Sequence, residues 1–244
     1  MLTATCFSQV ADHVEKVRES QRTSFPAAAL LLVDTIAAKG RTFVFGSGHS
    51  NLLIQECCLR AGGLRIYNPI FIAGLLPTDY PYLRCGLMKR ISGIAAAALD
   101  TARIRKGDTI IVISNSGRNH VPIEMAMESR KRGLQVIVLT SVSFSSPSQS
   151  RHPSGRRLYE LANVVLDNCC TCWRCRCRRS WCSAKIGPLS TIIGAVMLHA
   201  LSCQVAEILI ERGLRPPVFA SGNVDGGDEY AKEIVESYRE LIAY

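Results

Sequence analysis

Two stretches of helical spacing open the chain. Over residues 3–20, Phe7, Val10, Val14 and Val17 recur every three or four positions, the interval at which side chains share one helix face. Ser24 and Pro26 read as the start of a second helix running to about Lys39, and Gly40 ends it. The pattern then changes. RTFVFGSGHS is a short apolar run breaking into glycines, which reads as a strand and a tight turn, and NLLIQECCLRAGGL (51–64) behind it is helical in spacing. Further strands are expected at Leu64–Ile72 and in DTIIVI, LQVIVLTS and NVVLDN, with helices from about Tyr82 to Thr101 and over NHVPIEMAMESRKRG. The last third reads as a long apolar helix from Leu189 to Ile210, a loop rich in Gly and Asp (ASGNVDGGDEY) and a polar terminal helix.

Strand, turn and helix in alternation, with nearly continuous apolar strands, is the pattern of a parallel sheet covered on both faces. The expected class is α/β: a three-layer sandwich with a mostly parallel sheet flanked by helices. Residues 1–40 are expected to pack as helices on a main domain of residues 41–215, with residues 216–244 as a C-terminal loop and helix.

Composition changes this picture little. A chain of 244 residues with 48% hydrophobic and 20% charged residues is ordinary for a globular protein. No basic start followed by an apolar run marks the first residues, so a cytoplasmic location is expected. The apolar stretch Ile186 to Ile210 carries Pro188, His199, Gln204 and Glu207, costly in lipid, and reads as a buried helix rather than a membrane span. The formal charge of +9 raises nucleic acid as a partner, but four of those charges sit in one short window and the rest are scattered; neither nucleic acid nor membrane is expected to bind.

Ligands of such sheets lie at the carboxyl ends of the strands. Two loops stand there: GSGHS, with Gly46, Ser47, Gly48, His49 and Ser50, and SNSGRN, with Ser114, Asn115, Ser116, Gly117 and Asn119. Each follows a strand and opens a helix, whose free N–H groups and positive dipole end suit an anion, most simply a phosphate. Steric need alone also puts Gly and Ser at strand-to-helix turns, so the pair carries more weight than either loop. A dinucleotide fingerprint fits poorly, because Asn51 stands at the third glycine position and no acid occurs between Tyr67 and Ala73. GxxxxGK[ST] is absent too.

FGSGHS and VISNSGRNHVPIEMA together resemble the sugar-isomerase (SIS) domain, in which a GxGxS-type loop and an SxSG loop grip a phosphosugar. SRHPSGRRLYELANVVLDN and PPVFASGNVDGGDEY resemble a bacterial family of stand-alone SIS-domain proteins; the likeness runs from Arg41 to Tyr230. It implies the SIS fold, which is flavodoxin-like. It also implies that Ser114, Ser116 and Asn119 with the backbone of Gly117 hold a phosphate, and that Gly48, His49 and Ser50 face the sugar.

The likeness fails in NCCTCWRCRCRRSWC, Asn168 to Cys182, which holds six of the eleven cysteines, four arginines and both tryptophans. Relatives carry a small, acidic, glycine-containing segment of the type NGAPxGDAxxE there. Read one base later, Cys, Trp and Arg codons all begin with G and encode Val, Ala, Gly, Asp or Glu, so the shifted window can read AAPVGDAVV. Residues 169–183 are therefore read as a frame-shifted stretch. Zinc is the competing reading, through the CxxC of Cys172 and Cys175, but no second pair follows at finger spacing. A disulfide knot conflicts with a reducing compartment. An arginine-rich nucleic-acid contact would leave six thiols without a role.

SIS enzymes typically interconvert aldose and ketose phosphates through an enediol, while others eliminate or cleave an ether. Both need a base at the sugar. The candidate catalytic residues are Glu56, about two turns into the helix that opens at Ser50, and His199, in the long apolar helix; each also has a plain structural reading, as a rim ion pair and a core histidine. His49 suits a binding role. RHPSGRR, Arg151 to Arg157, is a candidate lid, and Cys57, Cys58, Cys85 and Cys203 read as core thiols. No metal and no organic cofactor are expected. The expected function is a sugar-phosphate isomerase; the alternatives are a non-catalytic phosphosugar sensor, or a lyase or etherase. A homodimer is expected, because the all-round apolar helix exceeds what one sheet face needs to cover.

Overall fold

A computed structural model of the chain describes residues 1–81, 83–171 and 186–243. The helices in chain order are α1 (Leu2–Ser20), α2 (Ser24–Ala37), α3 (Ser50–Cys57), α4 (Leu83–Met88), α5 (Ile94–Thr101), α6 (His120–Lys131), α7 (Val142–Ser145), α8 (Ser190–Glu211) and α9 (Gly227–Ser237). The strands are β1 (Thr42–Gly46), β2 (Tyr67–Ile70), β3 (Thr109–Ile113), β4 (Gln135–Thr140) and β5 (Val164–Asp167). All four pairings are parallel and the order is β2-β1-β3-β4-β5. The α/β sandwich read from the sequence is the fold.

Alternation along the strands builds two cores. Val44, Ile111, Ile113, Ile137 and Leu139 point to one face, where they pack with Leu32 and Val33 of α2, Ile54 of α3 and Met197, Leu201 and Val205 of α8. Phe43, Phe45, Ile110, Val112, Val136 and Val138 point to the other and meet Leu99 of α5 and Val121, Met125 and Ala126 of α6. Strands buried on both faces need apolar residues at every position, which is why TFVFG and TIIVI show no alternation with polar residues. Gly194 lets α8 lie close on α3: a Cβ there would stand 2.6 Å from Leu53 Cδ1.

Three elements differ from the sequence reading. The helix expected over 51–64 stops at Cys57; Leu59 and Gly62 turn through positive φ, which brings Leu64 and Ile66 into the core. The strand expected over Leu64–Ile72 is confined to Tyr67–Ile70, and Leu64 instead bridges antiparallel to Val218 of the C-terminal segment. Pro69 is tolerated in β2 because β2 is an edge strand. The helix expected from Tyr82 to Thr101 is two helices, parted where Gly93 takes φ 87°. The C-terminal segment is held by buried Asn68, whose side-chain amide donates to the carbonyls of Thr42, Ile66 and Leu241 and whose oxygen accepts from the Ala243 amide at 2.6 Å.

Of the expected core thiols, Cys57 and Cys85 are buried and Cys58 is partly so, but Cys203 is exposed, on the outward side of α8. In the cysteine-rich window, Cys169 and Cys170 are buried behind β5, with Cys169 at φ 53°; burial pushes the Cys170 thiol up to about 12. The rest of that window, from Cys172 on, lies outside the described residues.

Candidate functional site

The strand order reverses between β1 and β3, and the connections from their carboxyl ends leave on opposite faces of the sheet. A crevice forms at such a point. Here it is a cleft of about 660 Å³. Its lining takes in Ser47, Gly48, His49 and Ser50 after β1, and Ser114, Asn115, Ser116 and Asn119 after β3. The topology thus brings the two sequence-predicted loops to one place. Gly46 and Gly117 support the lining without being part of it.

Both glycines are sterically required. A Cβ on Gly46 would lie 2.8 Å from the Ser50 carbonyl oxygen, so the end of β1 meets the first turn of α3 only because the side chain is missing. Gly117 sits at φ 54°, and a Cβ there would come 3.0 Å from Ser145 Oγ and 3.1 Å from Leu158 Cβ. The second loop is braced from several sides. Ser114 Oγ accepts from the Gly117 amide at 3.3 Å, Thr140 Oγ1 donates to the Ser114 carbonyl at 2.7 Å, and Asn168 Nδ2 donates to Asn115 Oδ1 at 2.9 Å.

Three helices begin at this cleft. Ser50 opens α3, Asn119 caps α6, and Ser190 and Thr191 open α8; each of these residues is in the lining. Their dipoles place about half a positive charge each at the opening. Three cations join them: Lys89, Arg118 and Arg151. No carboxylate stands among the described lining residues. The described lining is therefore positive in sign.

Lys89, Arg118 and Arg151 were not singled out as ligands by the two loop motifs, although Arg118 lies inside SNSGRN and Arg151 opens RHPSGRR. The lid candidate is hooked to the second loop. The Arg151 amide donates to the Arg118 carbonyl at 2.8 Å, Arg151 Nη1 donates to Asn119 Oδ1 at 2.8 Å, and the Leu158 amide donates to the Gly117 carbonyl at 3.0 Å. His152 beside it lies 3.8 Å from Glu124 of α6 and edge-on to His120. Burial holds the His152 imidazole below its usual pKa; the Glu124 charge opposes this and His120 adds to it.

Glu56 and His199 are brought together, with His199 Nε2 3.2 Å from Glu56 Oε1, and Glu56 also pairs with Arg60 at 2.9 Å. Neither lines the cleft. They lie further along α3 and α8, about a third exposed, on the same outward side as Leu52 and Val196. No group of three or more His, Cys, Asp and Glu able to hold a metal ion occurs among the described residues. A groove of about 810 Å³ lies elsewhere, between Thr101–Arg103 and the C-terminal segment. It has neither the glycine loops nor the helix starts, and the chemistry points to the smaller cleft.

The SIS domain model matches residues 6–141. The chain is 39% identical over 234 residues to a UPF0309 protein of Streptomyces coelicolor, covering 96% of this chain and 93% of that one. With a UPF0309 protein of Geobacillus kaustophilus it shares 35% over 236 residues, 97% and 94% of the two chains. Among solved structures, a phosphoheptose isomerase from Neisseria gonorrhoeae superimposes with a TM-score of 0.56 at 16% identity, over 84% of this chain and 97% of that one. One from Francisella tularensis gives 0.50 at 14%, over 82% and 94%. At such identities the likeness is one of fold. With two glycine–serine loops on one crevice, a matching domain model and relatives that span nearly the whole length, the chain belongs to the SIS-domain family, among the UPF0309 proteins.

Proposed function

We propose that the cleft binds a phosphorylated sugar and that the protein interconverts aldose and ketose forms of it through an enediol. The observation that carries the binding part is the convergence of three helix N-termini, two glycine–serine loops and three cations on a cleft with no carboxylate among its described lining. Such a cleft favours a dianion over any neutral or cationic ligand. In this reading Ser114, Ser116, Asn119 and the Gly117 amide take the phosphate, and Gly48, His49 and Ser50 face the sugar. The phosphoheptose isomerases that share the fold act on phosphorylated sugars by name, which supports the same class here.

For isomerisation, a base takes the proton from the carbon next to the carbonyl and returns it to the neighbouring carbon, while a hydrogen-bond donor stabilises the enediolate oxygen. His49 is the imidazole of the lining. Glu56 and His199 lie outside it as a hydrogen-bonded pair, and we assign them to a site completed when two copies meet along α3 and α8. A sensor without turnover is the second reading, since the described lining offers no carboxylate as a base. Hexose, pentose and N-acetylated sugar phosphates, followed by NMR in deuterated water, separate the two. Isomerisation with deuterium entering next to the carbonyl, reduced at least about a hundredfold in Glu56→Gln, is expected. Tight binding with no exchange in any sugar makes the protein a sensor.

A further inference from the structure

We propose that Arg151 is a positioning residue of the cleft: its guanidinium fixes the side-chain amide of Asn119 so that the NH2 edge, and not the oxygen, meets the phosphate. The inference rests on the phosphosugar reading of the cleft and adds to it the residue that orients one of the phosphate donors.

Asn119 stands at the N-cap of α6, yet its side chain does not cap the helix. An N-cap oxygen ordinarily accepts from the amide of the second or third helical residue. Here the third is Pro122, which has no N–H, and the second is Val121, whose amide donates to the Lys89 carbonyl at 3.2 Å. Both usual donors are thus removed, and Asn119 Oδ1 accepts from Arg151 Nη1 at 2.8 Å instead. The residue is only 6% exposed and belongs to the cleft lining. An arginine only donates, so the edge of the amide that faces it must be the oxygen. The Nδ2 edge is thereby turned away from Arg151, as the donor left for a ligand. A freely turning amide would offer an anion its oxygen as readily as its nitrogen, and the oxygen repels it. Setting the orientation beforehand removes that cost from binding.

Arg151 is itself anchored. Its amide donates to the Arg118 carbonyl at 2.8 Å, so one residue grips two consecutive residues of SNSGRN, Arg118 through the main chain and Asn119 through the side chain. Next along the segment, the His152 amide donates to Ser150 Oγ at 3.1 Å, and the His152 ring lies against His120 and Glu124 of α6. The guanidinium therefore starts from a fixed base, and little freedom is lost in holding the Asn119 oxygen.

The test is a double-mutant cycle of Arg151→Ala and Asn119→Ala on the full chain, read by calorimetric titration in about 0.3 M salt, where distant charge is screened. The probes are glucose 6-phosphate, ribose 5-phosphate and N-acetylglucosamine 6-phosphate, and the tightest of them is carried through the cycle. Arg151→Ala is expected to weaken it about fivefold or more in the wild-type background, and less than about twofold once Asn119 is replaced. Asn119→Ser takes the place of Asn119→Ala if the latter does not fold. Equal losses in both backgrounds mean that Arg151 meets the ligand by itself; they overturn the proposal and leave the phosphosugar reading standing. A second readout separates orientation from a plain tether. The Asn119 side-chain amide signals, identified by heteronuclear NMR as the pair missing from the Asn119 variant, are expected to shift when the sugar phosphate is added. A pair that stays in place overturns the proposal as well. No binding of any probe, in a wild type shown folded by circular dichroism, overturns the phosphosugar reading and this inference together.

Discussion

At the scale of single residues, His152 gives the most direct check on how the cleft wall is held. Burial is the first cause of its lowered pKa, so the folded protein resists its protonation more than the unfolded chain does. Stability from this residue is therefore complete above the unfolded value of 6.5 and is lost as pH falls below it toward the folded value. Urea unfolding of wild type and His152→Gln at pH 8 and pH 5.5 is expected to show an advantage for wild type that shrinks at the lower pH. An advantage growing on acidification would mean that the ion pair with Glu124 outweighs burial. Ser114 and Ser116 belong to the same scale. Replacing both by alanine is expected to cost about a hundredfold or more in affinity for every phosphorylated sugar, read by calorimetry, since hydrogen bonds to a charged group contribute about 1.5–3 kcal/mol each.

At the scale of elements, the close contact of β1 with α3 is the joint that shapes the first loop. Gly46→Ala puts a methyl group against the Ser50 backbone, which cannot swing aside like the tip of a flexible side chain. A loss of about 1–3 kcal/mol is expected in urea unfolding, with weakened sugar-phosphate binding. The strands and most helices were legible in the sequence because their pattern is local: TFVFG, TIIVI and QVIVLT are apolar at nearly every position. What was not legible was decided by distant partners. The apolar spacing of NLLIQECCLRAGGL continues past Cys57, but Leu64 is claimed by Val218 and Ile66 by the core, so the helix ends early. The two loops were found from Gly and Ser at strand ends. Arg151 was found only as the start of the candidate lid RHPSGRR, and Lys89 was not found, because nothing in the spacing of a lone basic residue says which crevice it will reach. The Glu56–His199 contact was hidden for the same reason, as the two are 143 positions apart.

At the scale of the whole molecule, α8 leaves one side uncovered. Ile193, Met197, Leu201, Val205 and Leu209 are buried against the sheet, whereas Ile192, Val196, Cys203 and Ile210 are exposed along the opposite side. With Leu52 of neighbouring α3 they form an apolar strip beside Glu56 and His199. A large uncovered apolar strip favours association, and a homodimer through it is the arrangement we propose. Light scattering is expected to give twice the chain mass of 26.7 kDa, and Val196→Lys to return the single-chain mass with the fold intact by circular dichroism. A single-chain mass for the wild type would remove the dimer, and with it the shared role assigned to Glu56 and His199.

The hooks on residues 151–158 bear on the time course of recognition. A segment fastened to its neighbour through the Arg151 amide, the Arg151 guanidinium and the Leu158 amide has given up its freedom before any sugar arrives. Little ordering cost then remains for the encounter. Amide exchange in this segment is expected to be slow in the empty protein and barely slower with ligand present, where a swinging flap would exchange fast until closed. Entry past this segment would then be set by diffusion and charge steering rather than by its opening.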